Sequence, residues 1–238
     1  MRKTFFYTLF FTLFVFSGMA QELSINQILE KYFTASGFDK LQKVNSIVMT
    51  GHISKQDYMP LKIIKVRPDK YKMEFDIQDL TAYQSYDGKI AWMTAPWTGN
   101  AKPQIMNEDA AKDIKIKSDF DGVLYNWQEK KHIAELIGKQ IINNIEVYKI
   151  KLSLKEGGTE YYFINTKDFI LQKKIIIRIS KGKEIEVASI YSEYRDVEGI
   201  KFAFISENFM DGQPYSTIQY DTIEINTPID ETIFNFSK

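Results

Sequence analysis

Apolar and polar residues alternate along much of the chain. Tyr71, Met73, Phe75 and Ile77 are separated by Lys72, Glu74 and Asp76, and a period of two predicts a strand with one apolar face. Similar runs recur at 47–53, 61–66, 82–86, 90–94, 147–154, 160–164, 169–179, 184–194, 200–209 and 215–225. Asp87-Gly88, Gly157-Gly158, Gly182, Gly199 and Asp211-Gly212 mark tight turns among them, because these residues tolerate the positive φ such turns need. Short connections between strands predict an antiparallel meander.

Two stretches read differently. Ile25, Ile28, Leu29, Tyr32 and Phe33 follow helical spacing; Ser24 and Gln27 form a capping box ahead of them, and Gly37 supplies a stop. The long break at 96–131 predicts a helix capped by Asn107 and running through Ala110, Ala111 and Ile114, then a second helical stretch carrying Val123, Leu124 and Trp127. The picture is mainly β, of the α+β kind: one strongly curved antiparallel sheet of about ten or eleven strands whose inner face the helices cover. A sheet this wide must curl, split or close.

The first twenty residues do not belong to that sheet. Arg2 and Lys3 precede an apolar run from Phe5 to Phe16, and Gly18 and Ala20 sit three and one before a cut ahead of Gln21. This is the pattern of a cleavable secretory signal, with a run shorter than the ~20 residues that span a bilayer. Residues 21–238 are then a single domain, with no linker, repeat or low-complexity tract, and the sequence predicts a soluble periplasmic monomer. The chain has no cysteine, hence no disulfide, thiolate metal site or lipid attachment point. Loss of Arg2 and Lys3 from 31 basic and 31 acidic residues leaves 29 against 31. So even a balance gives no reason to expect nucleic acid.

Enzyme signatures are missing from the sequence: there is no G-x-S-x-G elbow, H-E-x-x-H, P-loop or dinucleotide fingerprint. His52 and His132, the only histidines, make neither a triad nor a zinc site by themselves. Asp119, Asp121 and Gly122 echo a calcium loop whose remaining ligands are out of pattern, so they read as a turn. No catalytic residue, metal or cofactor is expected.

Several phrases resemble the LolA family of outer-membrane lipoprotein-sorting proteins. They are Arg67-Pro68 before the aromatic strand Tyr71–Phe75, Asp87-Gly88-Lys89 before Trp92 with the exit Pro96-Trp97, Tyr161–Asn165, Tyr194–Phe202, and the closing Ile225–Asp230 with Ile233-Phe234. Their order spans nearly the whole mature chain. The resemblance implies an unclosed β-barrel with an α-helical lid, whose apolar cavity shields the acyl chains of lipoproteins between the inner and outer membranes. It adds an inner-membrane transporter and an outer-membrane acceptor as candidate partners. Three acyl chains of about fifteen methylenes each, at about 0.8 kcal/mol per CH₂, would cost roughly 35 kcal/mol to expose to water.

Counting by twos, Arg67 shares a face with Tyr71, Met73, Phe75 and Ile77. The resemblance implies that this arginine bonds lid carbonyls when the carrier is empty; the alternative is a surface arginine beside a turn, since Pro68 can introduce a bulge that reverses the parity. The expected acyl-chain lining is Met49, Leu61, Ile63, Tyr71, Met73, Phe75, Trp92 and Trp97, with Ile28, Tyr32 and Phe33 from the first helix. Each is equally a candidate for ordinary core. Two other readings stay open: a general binder of lipids or hydrophobic ligands with no lipoprotein client, and an envelope-stress lipid sensor module, which the absence of sequence beyond Lys238 disfavours.

Overall fold

The computed structural model describes residues 22–55, 58–77, 80–180 and 183–237; the expected signal segment and Gly182 lie outside them. Thirteen strands form one antiparallel sheet: β1 (Ser46–Ser54), β2 (Tyr58–Val66), β3 (Lys70–Ile77), β4 (Leu80–Tyr86), β5 (Ala91–Ala95), β6 (Asn100–Ile105), β7 (Ile133–Ile142), β8 (Ile145–Ser153), β9 (Thr159–Asn165), β10 (Leu171–Ser180), β11 (Lys183–Val197), β12 (Ile200–Met210) and β13 (Gln213–Ile225). Their order in the sheet is β6-β5-β4-β3-β2-β1-β13-β12-β11-β10-β9-β8-β7. Two meanders therefore meet where the first strand pairs with the last, and the sheet does not close.

β6 and β7 are the two strands that the sequence pattern did not foretell. β6 carries Pro103 and β7 is interrupted by Gly138 at φ 132°, and such residues suit sheet edges, where an irregular ladder is tolerated. Both are edge strands.

The helices are α1 (Ile25–Ala35), α2 (Phe38–Leu41) and α3 (Glu108–Ser118). Ser24 and Gln27 close the capping box on α1, and Asn107 caps α3 by accepting from the Ala110 N–H at 3.0 Å. Gly37 has φ 73°, and a Cβ there would lie 2.0 Å from the Gly199 carbonyl oxygen. The bare glycine lets the α1–α2 corner dock on the β11–β12 turn, where the Lys201 N–H donates to the Ser36 carbonyl at 3.0 Å. The expected second helix around Val123 and Trp127 is instead a series of turns, with Asn126 and Lys131 at positive φ that interrupts helical hydrogen bonding.

Because β6 and β7 lie at opposite edges, the connection 106–132 must travel across the sheet. It does so over the inner face. Ile114 of α3 packs on Leu61, Ile63, Tyr71, Tyr86 and Ala91, whereas Val123 and Leu124 pack with α1 on β8 and β9. Between them Phe120 joins Val44, Ile47, Ile200, Phe204 and Ile223. A fourth cluster lies on the outer face, where Val48, Ile64 and Val66 alternate in sequence with those inward residues. Phe234, from the 3-10 turn Glu231–Phe234, covers that cluster and is fully buried.

Candidate functional site

Strand register assembles the inner face under α3 into rows. Met49 pairs with Ile63, Ile63 with Met73, Met73 with Gln84 and Gln84 with Met93. The next row toward the hairpin tips is Gly51, Leu61, Phe75 and Ala82. Leu61, Ile63 and Tyr71 are buried, but Met49, Ile53, Met73, Phe75 and Met93 keep part of their surface accessible, as do Ile218 and Tyr220 of β13. Apolar side chains left incompletely covered beneath a helix form a trough that further apolar atoms can complete, at about 25 cal/mol per Å² of surface removed from water. Methionine supplies three of them, and its unbranched chain adapts to irregular occupants.

Arg67 stands beyond the trough at the end of β2. Its Nε donates to the Val44 carbonyl at 2.6 Å and Nη2 to the Leu41 carbonyl at 2.9 Å. Nη1 and Nη2 also grip the two carboxylate oxygens of Asp121 at 2.8 and 2.7 Å, and the guanidinium lies 4.3 Å from the centre of the Phe120 ring. One side chain thus ties both covering pieces, the α2 corner and the segment after α3, to the sheet.

The expected lining residues divide into three groups. Met49, Leu61, Ile63, Tyr71, Met73 and Phe75 meet in the trough, and Trp97, exposed, reaches its rim with its ring 6.2 Å from that of Phe75. Ile28, Tyr32 and Phe33 are brought together elsewhere, with Leu29, Tyr148, Ile150 and Ile164. Phe33 contacts Phe38 and Tyr125 at 4.9 and 5.4 Å between ring centres, so the α1 residues fill a core of their own. Trp92 is a correction. It alternates with Ala91 and Met93 and points to the outer face, where its indole N–H donates to the Phe234 carbonyl at 2.7 Å.

A polar patch on the same inner face escaped the sequence reading. Glu160 is fully buried on β9; its oxygens meet Lys174 Nζ and Arg178 Nη2 of β10, each at 2.7 Å, and accept from the Tyr162 hydroxyl at 2.6 Å. Burial opposes its ionisation, but Lys174 and the hydrogen bonds from Lys174, Tyr162 and Arg178 outweigh that and hold the carboxyl below its usual pKa. Arg178 also reaches Asp113 of α3 at 3.3 Å, bridging the unclosed side of the sheet. Burial pushes the phenols of Tyr32, Tyr191 and Tyr220 up to about 12 and lowers the Lys65 ammonium to about 8. The signal was present in the sequence: Lys65 and Glu160 occupy the inward parity of otherwise apolar runs, and Lys174 and Arg178 share the inward parity of β10. His52 and His132 lie apart, His52 stacking on Tyr58 and His132 accepting from the Lys155 N–H at 3.1 Å. Among the described residues no group of three or more His, Asp or Glu is suited to hold a metal.

Neither a family pattern nor a curated protein matches the sequence, while solved structures match its fold. A DUF1329 family protein from Desulfovibrio piger superposes with a TM-score of 0.60 at 10% identity, covering 87% of this chain and 97% of that one. A LolA superfamily protein from Nitrosomonas europaea gives 0.59 at 14% identity, covering 90% and 98%. A putative outer membrane lipoprotein-sorting protein domain from Vibrio parahaemolyticus gives 0.55 at 14%, covering 84% and 95%. With an unclosed antiparallel sheet, an inner face crossed by helices and these neighbours, the chain has the LolA-like fold.

Proposed function

We propose that the protein is a non-enzymatic carrier of acyl chains outside the cytoplasm, taking them into the trough between α3 and strands β1, β2, β3, β5 and β13. The observation that carries this reading is the incomplete burial of Met49, Met73, Phe75 and Met93 on a face that is otherwise core. Such surface is costly in water and is covered at a gain when a chain enters. The clasp of Arg67 on Leu41, Val44 and Asp121 supports a cover that holds when the trough is empty and yields to cargo. The basic residues and apolar run at the N-terminus support export, and the sorting-protein neighbour supports acylated lipoproteins as clients in transit from the inner to the outer membrane.

Native mass spectrometry of the protein recovered from a bacterial periplasm, with extraction of whatever it releases, tests the proposal. Co-purifying triacylated lipoprotein is the expected result. Phospholipid or fatty acid alone would retain the carrier and replace its client. Empty protein that also fails to take up a fluorescent acyl probe would sink the reading, because the inner face would then be finished core.

A further inference from the structure

The inner face carries more positive charge than acyl chains can use. Lys65 continues the inward parity of Leu61 and Ile63 on β2 and pairs in register with Ile47 and Tyr71, so it stands at the base of the trough. Its ammonium donates to the Asp119 carbonyl oxygen at 2.9 Å and lies 5.6 Å from the centre of the Phe120 ring. An ammonium has three donors, and among the described residues Lys65 makes no other hydrogen bond and no salt bridge. The nearby carboxylates are engaged elsewhere, Asp119 by Lys130 at 2.6 Å and Asp121 by Arg67. Lys65 is half-buried, and two of its three donors have no hydrogen-bond acceptor among the described residues.

Burial is the chief cause lowering the Lys65 ammonium, with Asp119 and Asp121 opposing it and Lys174 adding a smaller repulsion; burial likewise lowers Lys117 of α3, with Asp113 opposing it and Arg178 adding to it. Of the cations Lys65, Lys117, Lys174 and Arg178, Lys174 and Arg178 are paired with Glu160 and Asp113, while Asp119 and Asp121, the carboxylates that act on Lys65, are bridged by Lys130 and Arg67. Ser189, Ser206, Asn208 and Ser216 continue the polar floor, with Ser189 and Asn208 bonded at 2.7 Å. From Lys65 the inward positions of β2 run through Ile63 and Leu61 to Met59, roughly 20 Å of apolar strand at about 3.3 Å per residue. One end of the interior suits an anion and the rest suits a chain.

We propose that Lys65 forms a head-group site for an amphiphile bearing an anionic oxygen group, a carboxylate or a phosphate, whose acyl chain lies along Ile63, Met49 and Met73. The assignment rests on the reading that the trough admits acyl chains, and it adds a second class of occupant. A triacylated polypeptide has no charge at its lipid end, so the site gives the trough a use for free anionic lipid beside the lipoprotein client.

Displacement of a neutral fluorescent acyl probe from the protein compares oleate with oleyl alcohol, and dioleoylphosphatidate with dioleoylglycerol. The anionic member of at least one pair is expected to bind about tenfold more tightly or better, the scale of hydrogen bonds to a charged group. A larger preference in the first pair identifies a carboxylate, and in the second a phosphate. Lys65→Met is expected to bring the two members of the preferred pair within about twofold, and Lys65→Arg to keep most of the preference. Equal binding of charged and neutral ligands to the unmodified protein, or a preference that survives Lys65→Met, would overturn the head-group site and leave the carrier standing. Failure of every ligand to displace the probe would remove both.

Discussion

Asp121 receives the Arg67 guanidinium with both carboxylate oxygens, at 2.8 and 2.7 Å, and through that pair the segment following α3 is fastened to the end of β2. The same guanidinium holds the Leu41 and Val44 carbonyls, so one residue fixes both parts of the cover. Its planar fork makes four bonds at once, which a lysine cannot copy.

Arg67→Leu leaves Asp121 and two carbonyls without their donor. The variant is expected to lose about 2–3 kcal/mol of stability, as when one partner of a partly buried ion pair is removed. Probe uptake should become faster and release of cargo to acceptor vesicles slower, since the closed cover no longer competes with the ligand. A denaturant midpoint and a stopped-flow uptake trace separate the two effects. Normal release would count against the clasp, and Arg67→Lys should resemble the leucine variant.

Gly51 lies at the seam between the two meanders, where the register of β1 against β13 shifts between Thr50 and Gly51. A Cβ there would lie 2.1 Å from the Gln219 carbonyl oxygen and 2.7 Å from the Tyr220 Cα. Both are backbone atoms, and neither can turn aside as a flexible side chain would. Gly51→Ala is therefore expected to destabilise the protein by about 2–4 kcal/mol, in the range of overpacking with backbone displacement. Thermal melting by circular dichroism checks this, and a melting temperature within a degree of the parent would contradict the close approach.

Glu160 predicts the acid limb of stability. Its folded pKa lies below the usual value of 4.5, so its contribution is complete above about pH 4.5 and is lost as pH falls through the folded value. Glu160→Gln should flatten that limb. It should also cost about 3–5 kcal/mol near neutrality, because Lys174 and Arg178 would lose their shared counter-charge in a buried setting. Urea unfolding between pH 3 and 7 measures both.

The period-two pattern was sufficient to foresee the inner strands, because Met49, Leu61, Ile63, Tyr71, Met73 and Phe75 each alternate with polar or outward residues. It failed for Trp92 because β5 packs against apolar neighbours on both faces. Ala91 and Met93 point inward while Trp92 and Thr94 are buried outward beside the C-terminal turn, so hydrophobicity alone gave no side. It also merged two clusters. Tyr32 and Met73 both face inward, but the path of residues 119–124 between them is set by the need to travel from β6 to β7, a property of the sheet order rather than of either segment. Arg67 was legible by parity; its partner Asp121 was not, lying 54 residues away in sequence.

Lys65 predicts the alkaline behaviour. Its folded pKa of about 8 lies below the ordinary 10.5, so between these values the unfolded chain binds a proton that the native protein does not, and stability should rise with pH from about 8. The rise should end near pH 10. There the tyrosines begin to ionise in the unfolded chain, while Tyr32, Tyr191 and Tyr220 stay protonated to about 12 in the native protein, which reverses the slope. Lys65→Met should shrink the rise between pH 8 and 10 to the part owed to Lys117, whose burial also lowers its pKa, and leave the later fall. A rise of unchanged size in that variant would trace it to another group.

Trp92 and Trp97 stand on opposite sides of the same stretch of sheet, and their replacement should separate structure from binding. Trp92→Phe removes the indole N–H from the Phe234 carbonyl, which keeps only the weaker bond from Ser85 at 3.2 Å. The cost should be about 1–2 kcal/mol for one buried hydrogen bond and the accompanying loss of volume, with acyl-probe affinity unaltered. Trp97 is exposed and touches the trough through Phe75, so Trp97→Ala should leave the melting temperature nearly unchanged and weaken probe binding about threefold to tenfold, as for loss of an aromatic contact at a binding rim. The opposite assignment, with probe affinity falling in Trp92→Phe and not in Trp97→Ala, would put the ligand on the outer face and remove the trough from consideration.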